Sequence, residues 1–325
     1  MLRVILILSI IALTVAAQRS MLTQLWSQSL SSQVTKVYIG RNDVLVLSDC
    51  AYFFDLKTGS LLLSDCTHNS TAAYGYGKFV LVSPYGSVEV YDDYLNLLYS
   101  FSISQNFTSS VLILPNDELI ACYEGCALYD FYGNEKWESN LGLVLNKPSF
   151  NGNLIFVPVN DKQAIDVIYP NGTVLYSIGL QEAPWSIDSC GNLLAVKTSN
   201  WIYLFNVTAQ GYGQLWIKPS PGPYGDVKFS RDCKYLVVAG SYRVEAYEVN
   251  GTKVLEVNLP FSISSIDWNG KVLAIGGFDG SVRLYKLEAR DLGEVSSALT
   301  TNADQIPSLA LLSILFVRKL RKGKR

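Results

Sequence analysis

The chain has 325 residues, of which 49% are apolar, 12% aromatic and only 17% charged, which supplies ample surface for a folded core and too little charge for intrinsic disorder. The net charge is −2, but Arg3 and the six basic residues of 318–325 lie at the two ends. Residues 18–317 hold 19 basic and 28 acidic side chains, a net −9 that argues against nucleic acid as a partner.

Met1-Leu2-Arg3, the apolar run Val4 to Val15 and the small pair Ala16-Ala17 have the layout of a secretory signal peptide over 1–17, with cleavage after Ala17. At about 1.5 Å per residue the apolar run reaches roughly 20 Å, short of a hydrocarbon core of about 30 Å, so an uncleaved anchor is the weaker reading.

From Leu22 to Glu288 the chain repeats itself. In each copy a short apolar strand follows a turn, beginning at Val44, Phe79, Leu119, Leu154, Leu193, Tyr235 and Val272. A second strand ending in an aromatic or apolar group follows, marked by Phe54, Tyr91, Tyr129, Ile168, Phe205, Tyr247 and Tyr285. An innermost strand precedes each pair, from Val34–Tyr38 in the first copy to Ser265–Trp268 in the last. A period of about 38 residues holding three or four short strands is that of a propeller blade, and seven copies are counted over 18–288. Turns such as Lys57-Thr58-Gly59, Asn171-Gly172-Thr173 and Asn250-Gly251-Thr252 lead to outer strands, because Gly and Asn tolerate positive φ. The seventh copy has no convincing outer strand of its own. Thr23 to Leu30, however, resembles the outer strands around Trp137 and Trp216, so the N-terminal segment is expected to complete the last blade and close the ring. The expected fold class is all-β, a seven-bladed β-propeller.

Six cysteines fall in this part of the chain, an even number that reads as disulfides in an exported protein. Cys122 and Cys126 flank a hairpin, Cys50 and Cys66 close a short loop, and Cys190 and Cys233 remain; the connectivity stays open at this point. Neither thiol spacing nor a nearby histidine supports zinc, so no metal site is expected. Five N-x-S/T sequons, at Asn69, Asn106, Asn171, Asn206 and Asn250, fit an exported glycoprotein. A polar linker, 289–305, leads to an apolar run and basic end over 306–325. This tail resembles surface-sorting or membrane-retention signals, and implies membrane contact with the bulk of the protein outside the cell.

Phe229-Ser230-Arg231-Asp232-Cys233-Lys234-Tyr235-Leu236 and the run Gly276 to Tyr285 resemble strand and turn sequences of WD-repeat proteins, and Asp55-Leu56-Lys57-Thr58-Gly59 resembles the D-x-x-T-G turn of quinoprotein-like propellers. The resemblance implies the architecture over residues 22–288. No Gly-His dipeptide occurs and the terminal Trp-Asp is replaced, so the chain departs from WD repeats proper. The quinoprotein family stacks a quinone beside an adjacent cysteine pair and a calcium ion; no Cys-Cys pair occurs here, and no cofactor is expected.

The single histidine, His68, lies in a polar loop and is expected to be solvated rather than catalytic. Asp55, Asp92, Asp130 and Asp279 recur at turns, where bonding to backbone N–H groups is the simplest role. Tyr85, Trp185, Trp201, Tyr224, Tyr242, Phe261 and Phe278 fall on the blade-to-blade connections and middle hairpins, which share one face of a propeller, and are the candidate ligand-binding residues. The expected function is a non-catalytic binding or scaffold module at the outer cell surface, its partner a protein or polysaccharide of the envelope. The alternative is an extracellular hydrolase or lyase acting on carbohydrate through a carboxylate pair.

Overall fold

The computed structural model describes residues 22–104, 108–288 and 292. The expected signal peptide over 1–17, the expected retention tail over 306–325 and the sequon at Asn106 lie outside the described residues. No helix among the described residues is long and apolar enough to cross a membrane.

Seven four-stranded antiparallel sheets form the structure. Blades 1 to 6 occupy 36–65, 71–102, 110–139, 149–179, 186–219 and 227–258, each running outward from its innermost strand in chain order. Blade 7 takes three strands from 263–286, and its outermost strand is the N-terminal segment Thr23–Ser29, antiparallel to Ser281–Lys286. The ring therefore closes by pairing its two chain ends, as the resemblance of Thr23–Leu30 to later outer strands implies. The innermost strand of blade 4 is shorter than expected from Lys147–Phe150, with only Ser149–Phe150 paired.

One irregularity recurs in every blade. Between the third and outermost strands the register slips by one residue, beside Phe54, Tyr91, Tyr129, Ile168, Phe205 and Tyr247, and in blade 7 between Gln24 and Trp26. Such a bulge adds local twist, which bends the outer strand away from the sheet plane. Leu25 is the extra residue in blade 7, Leu215 in blade 5 and Lys136 in blade 3, and a tryptophan follows each of them.

Because both faces of each sheet meet a neighbouring sheet, the second strands are buried throughout, as in Asp43–Leu47 and Ile155–Val159. The apolar side chains divide into seven clusters, one for each blade-to-blade interface. Leu292, within the expected polar linker, is buried in the cluster shared by blades 6 and 7. A recurring contact crosses three interfaces on the outer rim. Trp26, Trp137 and Trp216 donate their indole N–H to the carbonyls of Leu56, Pro170 and Val249 on the outer turn of the next blade, at 2.9, 2.8 and 2.9 Å. Two of these rings lie on a turn glycine with positive φ, Trp26 on Gly59 and Trp137 on Gly172, where a Cβ would sit under 3.0 Å from the indole.

Three disulfides are present. Cys50–Cys66 lies at the end of blade 1, Cys122–Cys126 spans the middle hairpin of blade 3, and Cys190–Cys233 links the innermost strand of blade 5 to the inner turn of blade 6. Such bonds suit an oxidising, extracellular compartment.

Candidate functional site

Innermost strands expose one hydrogen-bonding edge to the ring axis, and those N–H groups need acceptors. In blades 6, 7 and 1 side chains of the preceding blade supply them. Ser186 and Asp188 of blade 5 accept from Val227 and Phe229 of blade 6 at 3.2 and 2.8 Å. Asp226, at the head of blade 6, accepts from Ile266 of blade 7 at 3.0 Å and from the Ser265 hydroxyl at 2.5 Å. Ser265 and Asp267 of blade 7 accept from Val37 and Ile39 of blade 1 at 3.3 and 2.7 Å, so the same device also ties the last blade to the first.

Four lysines gather around these three carboxylates. Lys36 donates to Asp226 at 2.8 Å, and Lys228 lies 3.4 Å from Asp267. Lys197, 0% exposed, donates to the Tyr224 carbonyl at 2.5 Å. Lys147 reaches from the head of blade 4 to the Tyr38 ring of blade 1, with its ammonium 4.9 Å from the ring centre, and has no ion pair among the described residues. The innermost strands of blades 2 and 3, Thr71–Gly75 and Ser110–Leu114, carry no charge, so the cluster occupies one side of the axis.

Burial and mutual charge shape the protonation of this cluster. Burial would raise the Asp226 carboxyl, but the Lys36 ammonium, with Ser265 and Lys228, holds it down at about 2. Burial also works to lower Lys228, yet Asp267, Asp188 and Asp226 outweigh it and keep that group above its ordinary range. Asp188 is pushed up by burial, with Lys228 opposing. Burial, joined by the Lys228 charge, pushes Lys147 down to about 8. Lys197 is pushed down to about 7 by burial, against the pull of Asp226.

Within the cluster is a cavity of about 30 Å³ lined by Lys36, Tyr38, Lys147, Trp185, Asp226 and Lys228, among others. That is room for about two waters or one small ionic group. Two larger open grooves, of about 450 and 280 Å³, lie off the axis between blades 4 and 5 and between blades 5 and 6.

Three of the seven aromatic candidates meet beside this cavity. Trp185 meets Tyr224 edge to face at 5.2 Å between ring centres, and Tyr224 meets Phe278 in the same way at 5.0 Å. Tyr224 holds φ +62°, and the adjoining Gly225 lies so close to Ala239 that a Cβ there would be 2.6 Å from its carbonyl oxygen, which leaves this turn little freedom. Tyr85, 90% exposed, stands on the middle hairpin of blade 2, away from the trio in the sequence of blades, whereas Tyr242, also exposed, stands on the middle hairpin of blade 6, whose Ser241 N–H bonds the Pro223 carbonyl next to Tyr224 at 2.9 Å. Trp201 is partly buried against the core of blades 4 and 5. Phe261 is not available to a ligand: it is 5% exposed in the core of blades 6 and 7, and the Arg283 guanidinium covers its ring at 3.6 Å.

His68 also differs from expectation. It is 7% exposed rather than solvated, because Asp65 turns the loop back by accepting from the Thr67 and His68 N–H groups. The imidazole Nδ1 lies 2.7 Å from Asp65 and 3.6 Å from Glu89, and Nε2 lies 3.1 Å from the Ser87 hydroxyl. One nitrogen and two carboxylates thus fall within 4.8 Å, a set able to ligate a cation only by giving up these hydrogen bonds. The turn aspartates behave as expected. Asp55, Asp92 and Asp130 each accept two backbone N–H bonds within their turns, and Asp279 accepts from the N–H and hydroxyl of Ser281. Of the sequons, Asn171, Asn206 and Asn250 are exposed, whereas the Asn69 amide donates to the Asp49 carbonyl.

The axial lysines and aspartates are the residues that sequence reasoning passed over. Their signal is the polar alternation along the innermost strands, Ser186/Asp188, Asp226/Lys228, Ser265/Asp267 and Lys36/Tyr38, which places each pair on one side of its strand.

No family model matches the sequence. Among solved structures, the computationally designed Ika8 protein is similar at 14% identity with a TM-score of 0.60, covering 81% of this chain and 99% of that one. In all, 1400 solved chains match, and an architecture so widely shared leaves function to the site rather than the fold. By topology and by likeness to solved structures, the chain is a seven-bladed β-propeller.

Proposed function

We propose that this propeller is a non-catalytic binding module of the cell exterior, engaging a protein or glycan of the envelope through the face that carries its inter-blade connections and middle hairpins. The observation behind this reading is the edge-to-face series Trp185, Tyr224 and Phe278 on constrained turns beside the axial cavity. Aromatic groups held in place before contact bury large areas at low entropic cost. The axial carboxylates support a non-catalytic reading, since their oxygens already serve backbone N–H groups and lysines. The sequence segments 1–17 and 306–325 would export the chain and hold it at the surface. The turns Asp55–Gly59 and Gly276–Tyr285 are the basis for relating it to quinoprotein-like and WD-repeat propellers.

Immobilised protein should retain a component from an envelope extract or a glycan array. Tyr224→Ala should weaken that capture about 30-fold, the cost of a hot-spot aromatic. Tyr212→Ala, on the outer rim, should leave it unchanged. Capture indifferent to Tyr224, Trp185 and Phe278 refutes the assignment of this face. Turnover of a polysaccharide that is lost in Asp188→Asn refutes the non-catalytic reading.

A further inference from the structure

We infer that the axial cavity is an anion socket that takes the carboxylate of a small ligand or of a group carried by a larger one. The inference rests on the face assignment above only for how such a group arrives. The charge count carries it: Lys36, Lys147, Lys197 and Lys228 face Asp188, Asp226 and Asp267, leaving one positive charge without a counterpart in a cluster where Lys197 and Asp226 are buried and the other five groups are partly buried. Excess buried charge is costly, and a protein sheds it by titration or by taking up a counter-ion. Lys147 and Lys197 both have no carboxylate in contact among the described residues, and the geometry leaves Lys147 as the one without a hydrogen-bond acceptor. Lys36 and Lys228 have carboxylates at 2.8 and 3.4 Å and Lys197 has a backbone carbonyl, but the Lys147 ammonium lies over the face of Tyr38 and has no ion pair among the described residues.

The groups facing Lys147 come from each neighbouring element: Lys36 and Tyr38 from blade 1, Asp188 from blade 5, Lys228 from blade 6 and Asp267 from blade 7. A volume of about 30 Å³ is enough for a carboxylate head. Trp185 lines the cavity and also begins the aromatic series, so a carboxylate in the socket places its carrier against Trp185, Tyr224 and Phe278. With Lys147 held at about 8 by burial and by the Lys228 charge, its protonated fraction at pH 9.5 is small. Binding that needs the charge then weakens about 30-fold between pH 6.5 and 9.5.

The test is thermal melting of the full chain against sodium acetate, with sodium chloride holding ionic strength constant and acetamide as the uncharged isostere. A saturable rise in Tm with acetate at pH 6.5, weaker at pH 9.5 and absent with acetamide, is expected. Lys147→Met should abolish the rise. Lys147→Arg, which keeps the cation and guards against a folding defect in the first variant, should retain it and lose less of it at pH 9.5. An acetate response unchanged in Lys147→Met, matched by acetamide, or missing at pH 6.5 overturns the socket. Partner capture without any acetate response sinks the socket and leaves the face assignment standing; an acetate response without capture does the reverse.

Discussion

Trp26 is the residue on which ring closure can be tested most directly. It is 8% exposed, lies in the cluster shared by blades 7 and 1, bonds the Leu56 carbonyl at 2.9 Å and covers Gly59. Trp26→Phe keeps most of the apolar contact and removes the N–H donor, a loss of about 1 kcal/mol. Trp26→Ala removes the ring as well and should cost about 3–5 kcal/mol. Gly59→Ala attacks the same contact from the other side: its φ of +72° costs an L-residue about 1–2 kcal/mol, and the new Cβ sits 2.8 Å from the indole. The Cβ clash vanishes once the indole is gone, so the double variant Trp26→Ala/Gly59→Ala should be less destabilised than the two single losses combined. Urea unfolding followed by far-ultraviolet circular dichroism, with disulfides intact, gives these energies. Hydrogen exchange should report where the ring opens, with protection lost along Ser281–Lys286 in Trp26→Ala. A cost below about 1 kcal/mol for Trp26→Ala, with unchanged exchange on that strand, would falsify the claim that this residue fastens the ring.

Two further predictions follow from the axis and the disulfides. Lys147 at about 8 and Lys197 at about 7 stand below the ordinary lysine value of 10.5, so between pH 7 and 10 the unfolded chain binds more protons and stability should rise with pH. Asp43, raised to about 6 by burial and the nearby Asp55 and Asp93 carboxylates, acts in the opposite sense only below that pH. Asp226, held at about 2 against an ordinary 3.8, gives stability that is present above pH 4 and lost as pH falls toward 2. Calorimetric melting in carboxylate-free buffer should show both limbs, Lys197→Met should flatten the upper one, and a Tm that falls from pH 7 to 9.5 contradicts the account. Among the disulfides, loop entropy ranks Cys190–Cys233, separated by 43 residues, at about 4 kcal/mol, Cys50–Cys66 at about 3 and Cys122–Cys126 at about 2. Paired Cys→Ser variants measured by urea unfolding should follow that order, and an equal loss for all three would show that chain entropy does not govern them.

The chain's own periodicity determined the architecture. Alternating apolar strands, turn glycines and seven segments ending in an aromatic or, once, in Ile168, at a spacing of about 38 residues, leave a ring of sheets as the arrangement that buries both faces of each sheet. The closing strand was legible too, because Leu25-Trp26 repeats the bulge-and-tryptophan pattern of Leu215-Trp216. The site was not legible, for a physical reason. Lys36, Lys147, Asp188, Asp226, Lys228 and Asp267 come from five blades, and only closure of the ring brings them to one axis, where each charge depends on neighbours far away in the chain. His68 and Phe261 illustrate the same limit, since local polarity or loop position foretold exposure and tertiary packing buried both. Strand periodicity is a short-range property written into consecutive residues, whereas burial and charge pairing across a ring exist only once the ring has formed.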